Sequence, residues 1–493
     1  VPAVRLAQAI RDRAEEDPDR PAITLSDRVL TRRRMDELSD VAAGNLLALG
    51  ASPGAVVAMT GPNSPELLVL FFAVWKLGAV PLPLSDRKGP EELSALLKAA
   101  CPSVAVGFDE RTVGGLGSDC PSVSLAELFG ECTEQALPEN ALSPNIRIGV
   151  SGGSTGPSKL IVVDVPAIAN PTRPWHYGMR SDGTHVVALD VVDGTGFVVS
   201  TTALAMGCHL VLMDGFDPED MLRLIEQHRA DWLALTQPAM VAVIKLPIDV
   251  RNRYDVSSIR FVTHYSGVVA AWVKHAWIDW LGPERIAESY GATDSRGSTW
   301  IDGATWLERP GSVGRPQPGA EIAIFDDGGG KVEPGKIGHV YIRDLTGRRN
   351  FHYIGKPTVS LGDGWETVGD VGWMDTDGYL YIADRAGDMI ETEAGTVAPA
   401  PIEGALEYHP EVRSAIVIGL PERDAFQRVH AIVDDAGRGV DLSELDTMLA
   451  TRFPAVRRPD TWELSDRPLR DMAGKARRPR LRAERLNDDR PSH

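Results

Sequence analysis

Over roughly its first 280 residues the chain alternates amphipathic helical stretches with short apolar runs, and no other feature limits its fold as strongly. Helical spacing marks LAQAIRDRAEE (Leu6–Glu16), RRRMDELSDVAAGNLLALG (Arg32–Gly50), ELLVLFFAVWKLGA (Glu66–Ala79) and EDMLRLIEQHRA (Glu219–Ala230). Between them AVVAMT (Ala55–Thr60), SVAVGF (Ser103–Phe108), VVALDVV (Val186–Val192) and CHLVLM (Cys208–Met213) read as buried strands. Strands joined by crossover helices build mostly parallel sheets with helices on their faces.

The texture changes twice after that. From Gly311 to Ala383 short strands such as AEIAIF (Ala320–Phe325) and HVYIRD (His339–Asp344) lie between Gly- and Pro-rich turns, the pattern of antiparallel hairpins. From Asp384 onward AIVIGL (Ala415–Leu420), HAIVDD (His430–Asp435) and the helical SELDTMLATRF (Ser443–Phe453) suggest a small α+β lobe. At 493 residues the chain exceeds what one growing core supports. The expectation is an α/β protein with two domains. Residues 1–384 form a large multi-layer N-terminal domain of mostly parallel sheets plus a β-rich subdomain, and 385–493 a small C-terminal one.

Composition narrows the function. A formal net charge of -18 argues against a nucleic-acid partner. The basic run Lys475–Arg485 has no aromatic platform and reads as a solvated face. The four cysteines, Cys101, Cys120, Cys132 and Cys208, lack CxxC or Cys/His metal spacing, so they are expected as reduced thiols in a cytoplasmic protein. No apolar run is long enough for membrane insertion, and the amphipathic start does not read as a signal peptide.

Four segments carry chemistry. SGGSTGPSK (Ser151–Lys159) offers backbone N–H groups, hydroxyls and an ammonium to phosphate oxygens. It lacks the Walker A pattern and leads into a strand, and a lone loop of this kind is more often a plain surface turn. ESYGATD (Glu288–Asp294) places an aromatic ring beside glycine, where it could cover a purine, and follows it with a hydroxyl and a carboxylate suited to Mg²⁺. In GWETVGDVGWMDTDGYLYIADRAGDMI (Gly364–Ile390) a hairpin-like stretch separates Asp370 from Arg385, so both could reach one sugar or simply pair with each other. MAGKARR presents Lys475 after a glycine near the C-terminus.

In this order and spacing the four segments resemble the adenylate-forming superfamily of acyl-CoA ligases, adenylation domains and luciferases, over about Ala9–Arg478. The resemblance implies an enzyme, an acid–thiol ligase of the acyl-CoA synthetase branch. It would use ATP or a preformed acyl-AMP, Mg²⁺ and coenzyme A, and its small lobe would be mobile. It implies that Ser154, Thr155 and Lys159 hold the β/γ-phosphates, helped by Thr293, and that Asp294 binds Mg²⁺. Tyr290 and the segment containing Gly267 and Val268 would enclose adenine, and Asp370 and Arg385 the ribose. Lys475 would bridge carboxylate and α-phosphate, Gly387 would serve as hinge, and Asp193, Ser266 and Ala292 would line the acyl pocket.

The sequence departs from the family's pattern at Ser158 and Leu160, where proline and glycine are usual around the lysine, and at Asp294, where glutamate is usual. It also departs at Gly387, at Asp193 where many ligases have histidine, and at the TEAGT loop (Thr392–Thr396). The first three changes imply that transfer of acyl from adenylate to CoA is retained while self-adenylation is impaired. A specialised natural-product acid is the expected substrate class. The alternatives are an amino-acid or carrier-protein-loading adenylation enzyme, with Asp193 binding an amine, and a non-catalytic nucleotide- or acid-binding homologue. A homodimer, a carrier protein and a partner adenylating enzyme are the associations left open.

Overall fold

The structure is a computed structural model that describes residues 4–117, 120–131, 135–150, 158–169, 178–265, 267, 269–291, 297–345, 351–355, 360–422, 426–452, 458–471 and 474–488. Two of its early helices begin where capping chemistry satisfies the unpaired N–H groups of the first turn. Thr31 accepts from the Arg34 amide ahead of helix Arg32–Ala48, and Ser64 accepts from Leu67 ahead of helix Pro65–Lys76. Helix Leu6–Glu16 buries Leu6, Ala9, Ile10 and Ala14, the stripe its spacing predicts. Helix Pro65–Lys76 is buried on all sides. Its buried cation, Lys76, is satisfied by Asp36 and Asp40, each 2.6 Å away.

The α/β class expected from the alternation is what folds. Strands Val80–Pro83, Val56–Met59, Val104–Val106 and Ser122–Val123 form a parallel four-stranded sheet. A second sheet orders 13 strands among the described residues. Its parallel half contains Pro21–Leu25, His209–Leu212, Thr184–Val187, Trp232–Leu235, Phe261–His264 and Ile286–Glu288. At Ile286–Glu288 it pairs antiparallel with Thr299–Asp302, and the Gly/Pro-punctuated strands continue the same sheet through Ser312–Pro316, Leu380–Arg385, Glu366–Met374, Gly338–Asp344 and Ala320–Phe325. The β-rich part therefore extends the parallel layer instead of forming a detached sheet. ESYGATD starts at that change of direction, so the sheet's geometry switches beside it.

One strand is shorter than its apolar run suggests. Of Val186–Val192, only the beginning lies in strand Thr184–Val187, and the chain then turns into helix Gly194–Ala205. Two aspartates within seven residues favour a turn, and the Arg147 guanidinium donates to the Gly194 carbonyl at 2.8 Å, fixing it there.

Beyond Arg385, strands Ser414–Pro421, Gln427–Asp434 and Thr461–Ser465 form a three-stranded sheet. Helices Pro399–Leu406 and Leu442–Arg452 accompany it. Ile390, Ile402, Leu406, Val417, Val429, Val433, Leu445 and Leu449 pack together in that part of the chain. Among the described residues no helix is long and apolar enough to cross a membrane.

Candidate active site

The most completely built corner lies where strands Glu366–Met374 and Leu380–Arg385 cross-pair, with Asp370 opposite Arg385. A register shift follows between Val371 and Gly372, and Gly369 adopts a left-handed φ of 89°. Such an irregularity re-aims the adjoining side chain. Asp370 is 6% exposed and has both carboxylate oxygens engaged. Arg385 Nε lies 3.1 Å from one, and the Tyr290 hydroxyl donates to the other at 2.5 Å. The Tyr290 ring packs against the cluster of Val313, Ile322, Ile324, Val340, Ile342 and Leu380. Gly267, the described member of the segment expected across from that ring, is exposed with φ 78°.

The rim of the Gly/Ser loop is a second corner. Lys159 immediately precedes strand Leu160–Val163, and its ammonium lies 5.3 Å from the centre of the Tyr353 ring on the neighbouring strand. Ser158 donates to Glu92 at 2.6 Å and accepts from Lys88 at 2.9 Å. Burial pushes the Glu92 carboxyl up, but the Ser158 hydrogen bond and Lys88 outweigh it and hold the group below the usual range. Arg477, two residues past Lys475, reaches the same carboxylate at 3.4 Å. The exposed Lys475 is held by its backbone, whose N–H donates to Asp471 at 2.9 Å and whose carbonyl accepts from the Asp471 amide at 3.1 Å. Glu92 thus links Arg477, just after Lys475, to Ser158, the residue that precedes Lys159.

Asp193 is the N-cap of helix Gly194–Ala205, and its side chain makes no capping bond. Beneath it Arg147 lies 5.0 Å from the centre of the Phe197 ring. Burial and the charge of Asp193 raise the Asp190 carboxyl to about 6, against Arg87 at 3.0 Å. Gly387 sits in the 3₁₀ turn Ala386–Asp388 without a left-handed φ, so this conformation does not itself require glycine. Ser154, Thr155, Ser266, Val268, Ala292, Thr293 and Asp294 lie outside the described residues.

Two buried ionic groups were not anticipated from sequence. Glu288, the first residue of ESYGATD, accepts from Lys274 at 2.6 Å and lies 3.2 Å from His264 Nε2. Burial pushes the Glu288 carboxyl up, but Lys274 and then His264 more than offset it, holding the group at about 2. The available signal was a lysine inside the tryptophan-rich run AWVKHAWIDWL (Ala271–Leu281), where a buried cation needs a partner. In the other group Arg478 pairs with Asp388 at 3.0 Å and Glu403 at 2.8 Å, tying the segment after Lys475 to the turn at Gly387.

Comparison with known proteins agrees with this architecture. The family profile described as AMP-binding enzyme matches residues 10–346. A feruloyl-CoA synthase from an Amycolatopsis species is 28% identical over 479 residues, 94% of this chain and 95% of that protein. The fatty acid–[acyl-carrier-protein] ligase ScoC of Streptomyces coeruleorubidus is 27% identical over 505 residues, covering 97% and 96%. The o-succinylbenzoate CoA synthetase MenE of Bacillus subtilis, solved with the acyl-adenylate OSB-AMP, superposes with a TM-score of 0.81 at 21% identity over the whole of both chains. It has also been solved with ATP and a magnesium ion, where it matches at 22% identity with a TM-score of 0.81, covering 96% of this chain and 98% of that one. With a family match across most of the chain and relatives aligned nearly end to end, this protein belongs to the AMP-binding enzyme family of adenylate-forming ligases.

Proposed function

We propose that this enzyme converts a carboxylic acid and ATP to an acyl-adenylate and passes the acyl group to the thiol of coenzyme A. In the first step a carboxylate oxygen attacks the α-phosphorus and pyrophosphate leaves. In the second the thiolate sulfur attacks the acyl carbon, AMP leaves with the bridging oxygen, and the thiol proton passes to solvent. A carboxylate is a poor nucleophile toward a polyanion, so the site must neutralise charge and align the attack.

The single observation that carries this reading is the docking of the Lys475 loop on the rim of the phosphate loop through Arg477, Glu92 and Ser158. In this reading Lys475 bridges carboxylate and α-phosphate, with Lys159, Ser154, Thr155 and Thr293 on the outer phosphates. Asp370 and Arg385 hold the ribose, Tyr290 covers adenine opposite Gly267 and Val268, and Ser266, Ala292 and Asp193 line the acyl side. Mg²⁺ would neutralise the triphosphate from Asp294, and a magnesium ion bound largely by phosphates and water needs few protein ligands. Residues 385–493 act as a lobe that turns about Gly387 between the two steps.

Ser158 ties the phosphate loop to Glu92 and Lys88 where the family has proline, which supports adenylation as the slower half. A second acceptor, the thiol of a carrier protein, is favoured by the likeness to ScoC. Two mixtures test the reading: free acids with ATP, Mg²⁺ and CoA, and synthetic acyl-adenylates with CoA, each followed by mass spectrometry and repeated with a phosphopantetheinylated carrier. Thioester from both mixtures, faster from the adenylate, is expected. No thioester in any arm across aryl, indolyl and aliphatic acids would refute it.

A further inference from the structure

The small lobe rests on the large one through a second set of contacts, and its chemistry is specific. Lys245 caps the C-terminal end of helix Gln237–Ile244. Its ammonium donates to the His409 carbonyl at 2.9 Å and to the Val412 carbonyl, both in the turn after helix Pro399–Leu406. It also lies 5.8 Å from the centre of the Trp272 ring. Trp272 in turn donates its indole N–H to the Gly404 carbonyl at 3.0 Å and meets Tyr408 edge to face. At the other end of the same helix, Gln237 donates to Glu407 at 2.5 Å, and both side chains are buried.

These contacts are wired to the lysine loop. Glu407 lies 3.5 Å from Arg470 Nε, and Arg470 donates to the Gly474 carbonyl at 3.1 Å, one residue before Lys475. Gly474 itself packs on Pro238, where an added Cβ would stand 3.2 Å from the ring. Helix Gln237–Ile244 therefore touches the lobe at Glu407, at the turn beyond it and at the lysine loop. The lobe cannot keep this set and also rotate.

We propose that Gln237 and Lys245 form a latch that selects the adenylate-forming arrangement of the two lobes. Both are positioning residues, acting through Glu407, Arg470 and the backbone of the 409–412 turn. The idea rests on the two-step reading above, and it adds that the large domain decides, by gripping Glu407 and two carbonyls, how long the lysine loop stays over the phosphates. Gly404 offers the most selective probe. An added Cβ there would stand 2.9 Å from the Ala270 Cβ, across the same contact. Gly404→Ala therefore wedges the lobes apart while favouring its own helix.

The experiment measures the two half-reactions separately for wild type, Lys245→Met, Lys245→Arg, Gln237→Glu and Gly404→Ala. Adenylation is read as acid-dependent ATP–pyrophosphate exchange, and acyl transfer as thioester from synthetic adenylate and CoA, using ferulate, indoleacetate and octanoate. Thermal melting confirms that each variant is folded. Exchange is expected to fall on the order of tenfold or more in Lys245→Met, Gln237→Glu and Gly404→Ala, with Lys245→Arg partly restored and acyl transfer unchanged or faster. Equal losses in both half-reactions, or none in either, in the folded Gly404→Ala variant overturn the latch. If wild type shows neither half-reaction, the two-step reading falls first and the latch with it. Wild-type activity in both halves without a split among variants overturns the latch alone.

Discussion

At the scale of single residues the account turns on carboxylates whose surroundings are unlike water. Asp370 is buried between Arg385 and Tyr290, one on each carboxylate oxygen. Asp370→Asn should raise the KM for ATP by about ten- to a hundredfold, because a hydrogen bond to a charged group is worth about 1.5–3 kcal/mol, and Tyr290→Phe by less, because its hydroxyl acts only through the Asp370 carboxylate. Steady-state kinetics with varied ATP check both. Lys475→Ala should slow adenylation by about 2.7–4 kcal/mol in transition-state terms, as loss of other preorganised donors does, while acyl transfer from synthetic adenylate persists. Asp190 makes a pH prediction. Its folded-state value, raised to about 6 from 3.8, means the folded protein binds the extra proton, so its contribution to stability is full below about 4 and is lost as pH rises through 6. Asp190→Asn should flatten that decline, worth on the order of 3 kcal/mol, in urea melts compared between pH 4 and pH 7.

At the scale of elements, the group of Glu288, Lys274 and His264 joins strands Phe261–His264 and Ile286–Glu288 to helix Ala271–Leu281, and Glu288 stands two residues before Tyr290. Lys274→Met alone leaves Glu288 buried without its cation and should cost about 3–5 kcal/mol, whereas Lys274→Met combined with Glu288→Gln should recover much of it. A urea-denaturation double-mutant cycle measures that coupling, and additive losses would contradict it. The same elements show what sequence can and cannot reveal. Helix Leu6–Glu16 was legible to the residue because its apolar stripe has a helical period and its ends are polar. The pairing of Asp370 with Arg385 was legible because one hairpin links them. Val186–Val192 misled as a full strand because apolar character persists through the turn that Asp190 and Asp193 make. The Glu288 group was hidden because its three members come from three elements, and only the completed sheet brings them together. Ser158 was visible as a departure, but its grip on Glu92 depends on a helix some 66 residues earlier.

At the scale of the whole molecule, one 13-stranded sheet among the described residues carries Asp370 and Arg385, and the last hundred or so residues bring Arg477 to Glu92 beside Ser158. Family membership rests on a match over residues 10–346. It does not by itself choose the acid or the acceptor. The relatives, a feruloyl-CoA synthase and a fatty acid–[acyl-carrier-protein] ligase, differ in both. Whichever acid is used, the proposed reaction bonds its carboxylate oxygen to the α-phosphorus. Acid labelled with heavy oxygen in its carboxyl group, turned over with ATP, Mg²⁺ and CoA and analysed by mass spectrometry, tests this directly. The account predicts AMP carrying one labelled oxygen for each thioester formed. Unlabelled AMP, or label found instead in inorganic phosphate alongside ADP, would contradict it.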